Sequence, residues 1–194
     1  MKRLILTALL LLASSAWAAP IDDAAAANAR GDYAAELRIT RPLAAKGEGW
    51  AQYNLGFMYG NGQGVVQDYA EAVKWYRLAA AQGIASARYN LGLRYDNGQG
   101  VPQDYAEAVK WYRLAAAQGV ANAQTNLGVM YGKGQGVPVD DVRAHMWLNL
   151  AAVKGDADAV KNRNIAAKKM TPQQMAEAQK LARECQARNF KGCE

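Results

Sequence analysis

Residues 51–86 read AQYNLGFMYGNGQGVVQDYAEAVKWYRLAAAQGIAS, and residues 87–122 read ARYNLGLRYDNGQGVPQDYAEAVKWYRLAAAQGVAN. The two align without a gap and differ at 7 of 36 positions, which in the first copy are Gln52, Phe57, Met58, Gly60, Val66, Ile84 and Ser86. A third copy over 123–158 keeps Asn126, Leu127, Gly128, Tyr131, Gly134, Gly136, Asp140, Ala144, Trp147 and Ala151 at matching places. Upstream, Asp32-Tyr33-Ala34-Ala35-Glu36-Leu37 stands 36 residues before Asp68-Tyr69-Ala70-Glu71-Ala72-Val73, so a divergent unit precedes the three clear ones. A repeat of this length marks an array of stacked supersecondary units.

Each unit reads as two helices. In the first clear copy a helix A is expected over roughly residues 49–60, with Ala51, Leu55 and Tyr59 on one face at i, i+4, i+8. Gly56 lets the partner helix approach closely. The turn Asn61-Gly62-Gln63-Gly64-Val65 offers two glycines for positive φ. Asp68 is an N-cap, and Glu71 three residues later is expected to complete a capping box. Helix B then carries Tyr69, Ala72, Val73, Tyr76, Ala79 and Ala80 on one stripe, and Gly83 ends it. The same signals recur at Asp104, Glu107 and Gly119, whereas the third copy keeps Asp140 but has Arg143 in place of the Glu.

Ala51-x-Tyr53-Asn54-Leu55-Gly56-x-x-Tyr59, Gly62-x-Gly64-Val65, Asp68-Tyr69, Ala72-x-x-Trp75-Tyr76 and Ala79-Ala80-x-Gln82-Gly83 closely resemble the Sel-one-like repeat, a relative of the tetratricopeptide repeat. The resemblance covers most of residues 32–158. It implies an all-α fold, a right-handed α-solenoid of antiparallel helix pairs, and the role of adaptor or scaffold in protein complexes. The expected organisation is a leader over 1–18, a divergent helix pair over 19–50, three repeats over 51–158 and a capping helix pair over 159–194. In that last pair Thr171 is a candidate N-cap with Pro172 at the first helical position. A terminal unit more polar than the rest suits a solenoid, whose end must face water.

The leader reading rests on Lys2 and Arg3, the apolar run Leu4–Ala13 and the small residues ending in Ala16-Trp17-Ala18. Cleavage after Ala18 is expected, which places the mature protein in the periplasm or outside the cell with no membrane span. The net charge is +6. From Ala19 to Leu150 there are 12 Lys+Arg against 12 Asp+Glu, and from Ala151 onward 9 against 5. A nucleic-acid binder would show a broader basic face with reading residues interleaved, so that class is excluded. The basic tail, with Lys161, Arg163, Lys168, Lys169, Lys180, Arg183 and Arg188, reads first as a solvated cap face and second as a docking site for an anionic partner.

Chemistry has few residues to work with. After the leader the chain holds one Ser, Ser86, and one His, His145, and no G-x-S-x-G or S-x-x-K. His145 beside Met146 and Trp147 reads as a helix-packing residue. It has no Cys, Asp or Glu at metal-ligand spacing, so neither a metal nor a cofactor is expected. The paired glycines follow a helix rather than a strand and are turns, not a dinucleotide fingerprint. Asp22-Asp23 and Asp140-Asp141 are adjacent carboxylates without an acid–base arrangement. Trp75, Trp111 and Trp147 recur with the repeat and read as packing residues. No enzyme activity is expected.

Mapped onto the tetratricopeptide pattern, the resemblance implies that the remaining helix A positions line a concave groove. These are Trp50, Tyr53, Phe57 and Asn61, then Ser86, Tyr89, Leu93, Asp96 and Asn97, then Asn122, Thr125, Val129 and Lys133. Tyr53 and Tyr89 lie off the expected packing face. The leading functional expectation is a monomeric exported scaffold that binds a protein or peptide in this groove. A glycan- or peptidoglycan-binding envelope module is the alternative. A β-lactamase-like hydrolase, suggested by cysteine-rich relatives of the repeat, comes third because the Ser motif is missing. The C-x₇-C spacing of Cys185 and Cys193 also resembles the paired cysteines of those relatives, which implies a disulfide near the end of the last helix.

Overall fold

Asp68, Asp104 and Asp140 start three helices in the same way. Each carboxylate accepts a hydrogen bond from the backbone N–H three residues on, at 2.9, 3.0 and 2.8 Å. These N-caps satisfy donors that the first helical turn leaves open. The expected capping box is only half formed. Glu71 turns to Lys74 at 2.6 Å instead of reaching back to Asp68. The Asp68 backbone N–H is already committed to the carbonyl of Tyr59 at 2.9 Å, so nothing remains for Glu71 to cap. The full reciprocal box occurs at Thr171 and Gln174, where Pro172 takes the first position.

The computed structural model describes residues 20–193. The leader and its cleavage after Ala18 lie outside the described residues. These form helices α1 (residues 20–29), α2 (Tyr33–Ala45), α3 (Gly49–Asn61), α4 (Tyr69–Ala81), α5 (Ala85–Asn97), α6 (Tyr105–Ala116), α7 (Ala121–Lys133), α8 (Asp141–Ala152), α9 (Ala157–Ala167) and α10 (Pro172–Ala187), with no strand. From α2 to α9 each helix packs on the next in sequence, and α10 folds back on α8. The fold is an all-α solenoid. Among the described residues no helix is long and apolar enough to cross a membrane.

Within each clear unit, helix A offers a glycine and helix B fills the space above it. A Cβ on Gly56 would lie 2.8 Å from the Tyr76 ring, and one on Gly92 would lie 2.7 Å from the Tyr112 ring. In the third unit Leu148 takes the place of the tyrosine, 2.6 Å from a Cβ on Gly128. The buried residues around these contacts are mostly Ala, with Leu55, Val73, Leu91, Val109 and Leu127. Small side chains let the helices sit close, and interiors packed this way leave no slack for an added methyl.

Units are joined by contacts that repeat with the sequence. Arg77 donates to the Tyr95 hydroxyl at 2.8 Å, and Arg113 donates to the Tyr131 hydroxyl at 2.7 Å. Gln82 donates to the carbonyl of Gly47 at 2.9 Å, and Gln118 to that of Gly83 at 3.0 Å. Lys154 makes the third such bond, to the carbonyl of Gly119. The Gly-x-Gly turns form the other joint. Gly98 caps α5 at φ +67°, and Gly100 follows at φ +75°. A Cβ on Gly100 would fall 2.3 Å from the carbonyl of Tyr69, at the start of the preceding unit's helix B. Gly136 meets Tyr105 at the same 2.3 Å, and Gly64 meets Tyr33 at 2.7 Å. The second glycine therefore serves two needs, a left-handed backbone and a backbone-to-backbone approach between units.

The last turn is a hook. Cys185 and Cys193 are bonded at 2.05 Å with Cα atoms 5.2 Å apart, the pairing the resemblance implied. Between them Asn189 and Phe190 both take positive φ, +50° and +63°. The Phe190 ring lies against Gly119 and under the Lys154 ammonium, 4.4 Å from it.

Candidate functional site

The residues expected to line a groove fall on matching positions of α3, α5 and α7. Phe57, Leu93 and Val129 form one row, 36 residues apart, and Phe57 is 38% exposed. Asn61, Asn97 and Lys133 form an exposed row at the helix ends. Asn61 donates to the carbonyl of Phe57 at 2.9 Å. Ser86 and Asn122 are exposed, while Trp50 at the same register packs on the Ala44, Ala51 and Leu55 cluster.

The row that starts at Tyr53 sits deeper than expected. Tyr53 stacks on buried Tyr76 with centroids 6.1 Å apart, and Tyr89 stacks on buried Tyr112 at 6.0 Å. Both are half-buried and belong to the packing as well as to the surface. Burial pushes the Tyr89 phenol up, and a hydrogen bond with Asn122 opposes that shift. Thr125, third in the row, is 7% exposed. Its hydroxyl bonds Asp156 at 2.8 Å, which removes it from the surface. Asp96 accepts from the Tyr112 hydroxyl at 3.0 Å, a tie that Gly60 cannot make with Tyr76 in the first copy.

Differences between the two near-identical copies do not single out this face. Phe57 and Ser86 are exposed, but Gln52, Met58 and Gly60 are buried. The change from Met58 to Arg94 is absorbed inside the array. The Arg94 guanidinium lies 4.8 Å above the Tyr69 ring and donates to Gln99 at 2.6 Å.

Two hollows flank the helix A face. One of about 280 Å³ lies at the N-terminal end, between α1, α2 and α3, lined by Ala25, Asn28, Glu36, Tyr53, Asn54 and Phe57. The other, about 200 Å³, lies between α7, α8 and α9, where Val129, Lys133, Ile165 and Lys169 meet. Glu36 was not among the residues singled out from the sequence. Its register carried the signal, because Ala72, Ala108 and Ala144 occupy the same position in the clear repeats.

His145 is 5% exposed, and burial and the Arg163 charge both lower its pKa. No group of three His, Cys, Asp or Glu side chains that could hold a metal occurs among the described residues. In the basic tail Lys161, Lys168, Lys169, Lys180, Arg183 and Arg188 are exposed, whereas Arg163 is half-buried and bonds Asn149 at 3.2 Å.

The family model of the Sel1 repeat matches residues 51–84, 85–120 and 121–156. Among solved structures, a Sel1 repeat protein from Oxalobacter formigenes is similar at 33% identity and a TM-score of 0.69, over 73% of this chain and 57% of that one. The structure of c5321, described as a protective antigen present in uropathogenic Escherichia coli strains and displaying an SLR fold, is similar at 29% identity and a TM-score of 0.61. That match covers 80% of this chain and 42% of the other. The chain thus spans about half the length of these two proteins. No curated protein matches it.

Proposed function

Because this chain belongs to the Sel1 repeat family, whose members generally serve as non-catalytic scaffolds for protein interaction, we propose that it is an exported scaffold that holds a protein or peptide along the helix A face. The observation that carries this reading is the repeated row of half-exposed aromatic and apolar side chains, Tyr53 and Phe57 followed by Tyr89 and Leu93. Binding energy in interfaces concentrates in a few anchors, above all aromatic ones. A hollow of about 280 Å³ opens beside Tyr53 and Phe57.

Export is supported by the disulfide. Bonds between cysteines persist in oxidising compartments and are rare where the cell keeps thiols reduced. The divergent pair of α1 and α2 and the polar pair of α9 and α10 flank the three repeats.

Placing a photo-crosslinking phenylalanine analogue at single positions in the producing cell tests the reading. Probes at Phe57 and Leu93 should give discrete protein or peptide adducts. Probes at Leu78 and Leu114, exposed on the helix B side, should not. Adducts from the helix B probes alone, or from neither set, would refute the assignment of the face.

A further inference from the structure

The first helix pair keeps the repeat's architecture but breaks its chemistry at two buried positions. The register that aligns Asp32 with Asp68 sets Glu36 against Ala72 and Thr40 against Tyr76. In the clear repeats these positions hold an alanine and a large side chain, and both are core. In the first unit they hold a carboxylate and a hydroxyl. Glu36 is 4% exposed and Thr40 fully buried.

Packing does not call for this exchange. Burying a carboxylate carries a cost unless a cation or several donors meet it. Among the described residues the Glu36 carboxylate has one hydrogen-bond partner, the neutral amide of Asn28, which donates to it at 2.9 Å, and no ion pair. The Thr40 hydroxyl has no partner among the described residues. An alanine at 36, as in the three following units, would avoid the cost. What the described residues do not supply is a cation for this carboxylate.

The surroundings indicate what that is. Glu36 lines the hollow of about 280 Å³ together with Tyr53, Phe57, Asn28 and Asn54. Pockets for drug-sized ligands run from roughly 300 to 1,000 Å³, so this one suits a single inserted side chain. The Tyr53 and Phe57 rings form one wall, with centroids 6.4 Å apart and planes 38° from each other. A buried carboxylate that lines an aromatic-walled hollow matches a guanidinium. That group is planar, lies flat on rings, offers paired N–H donors to a carboxylate, and gives up water more readily than an ammonium.

We propose that this hollow is an arginine pocket. It takes one arginine side chain of the partner held along the helix A face and pairs its guanidinium with Glu36 against the wall formed by the Tyr53 and Phe57 rings. The proposal rests on the groove reading above and adds to it the identity of one recognised residue.

The test uses the purified chain, isotope-labelled, with N-acetyl-arginine amide as probe. N-acetyl-citrulline amide has nearly the same shape without the charge, and N-acetyl-lysine amide has the charge without the plane. The arginine probe should shift the nuclear magnetic resonance signals of Glu36, Tyr53 and Phe57 in a saturable way. Citrulline amide should bind at least about tenfold more weakly, the effect of losing one charge-assisted pair. Glu36→Gln keeps the size and the Asn28 bond and should weaken the arginine probe by a similar factor, its melting curve confirming the fold. Equal shifts with arginine and citrulline, or none with either, overturn the pocket without need of a variant. Equal binding of lysine amide overturns the guanidinium assignment. If crosslinks at Phe57 and Leu93 persist in Glu36→Gln at wild-type yield, only the arginine pocket falls. If those crosslinks are absent from the wild type, the groove reading itself falls.

Discussion

Replacing Gly100 with alanine separates the two roles of the second turn glycine. Its φ of +75° is the first role. A non-glycine residue there costs about 1–2 kcal/mol, partly offset by about 0.4–1 kcal/mol from a less free unfolded chain. That leaves a net loss of about 1 kcal/mol. The second role is contact. The new Cβ would sit 2.3 Å from the Tyr69 carbonyl and 2.6 Å from the Ala70 nitrogen, which are backbone atoms that cannot rotate away. Separating two units by the needed amount adds about 1–3 kcal/mol, the range for overpacked sites. Gly155→Ala is the control, since Gly155 has φ +88° and nothing within 4 Å of a Cβ. Urea unfolding followed by circular dichroism should therefore show a loss of about 2–4 kcal/mol for Gly100→Ala and about 1 kcal/mol for Gly155→Ala. Amide exchange should quicken on both sides of the joint between α4 and α5–α6 in the first variant only. Equal losses in the two variants would mean that the close approach contributes nothing and backbone conformation is the whole effect.

Three further outcomes follow from the geometry. Converting Cys185 and Cys193 to serine should cost about 2–3 kcal/mol, the loop-closure value for so short a ring, with protection lost first at the end of α10; unchanged unfolding would show the hook closing without the bond. Burial and Arg163 hold the pKa of His145 below its ordinary value of 6.5, so the unfolded chain binds the proton more readily. Stability should then fall as pH drops below about 6.5, and His145→Gln should flatten that part of the pH profile of the urea midpoint. Tyr53→Ala and Tyr89→Ala should each lower stability by about 1–2 kcal/mol, less than a fully buried aromatic would, because both rings press on core tyrosines; unchanged midpoints would return them to the surface.

The helices were legible because their signals are local. Asp68 and Thr171 cap within three residues, and the turn glycines end helices beside them. What stayed hidden depended on partners distant in sequence. The need for glycine at 100 comes from Tyr69 in the preceding unit, and spacing within one turn cannot show it. Glu71 was expected to complete a box, but the Tyr59 carbonyl had already taken the Asp68 N–H. The mapping onto the tetratricopeptide pattern put Tyr53, Tyr89 and Thr125 off the packing face, but it could not give depth, which Tyr76, Tyr112 and Asp156 set. The disulfide followed from the resemblance, not from any reading of the last turn, where two non-glycine residues take positive φ. Glu36 was visible in the alignment as a mismatch, but a mismatch shows its significance only once burial is known.

The bonds from Arg77 to Tyr95 and from Gln82 to Gly47 are repeated by Arg113 to Tyr131 and Gln118 to Gly83. The joints on either side of the two near-identical copies thus present the same plug and the same socket. A gene that gained or lost one 36-residue copy would meet no unfamiliar neighbour at the splice. The number of copies is therefore free to change without a new interface having to be invented. Each added copy would lengthen the helix A face by another pair of half-exposed positions, while the divergent first pair and the disulfide-bound hook travelled unchanged to the new ends. Length, in such a chain, is a property that recombination can adjust and folding will accept.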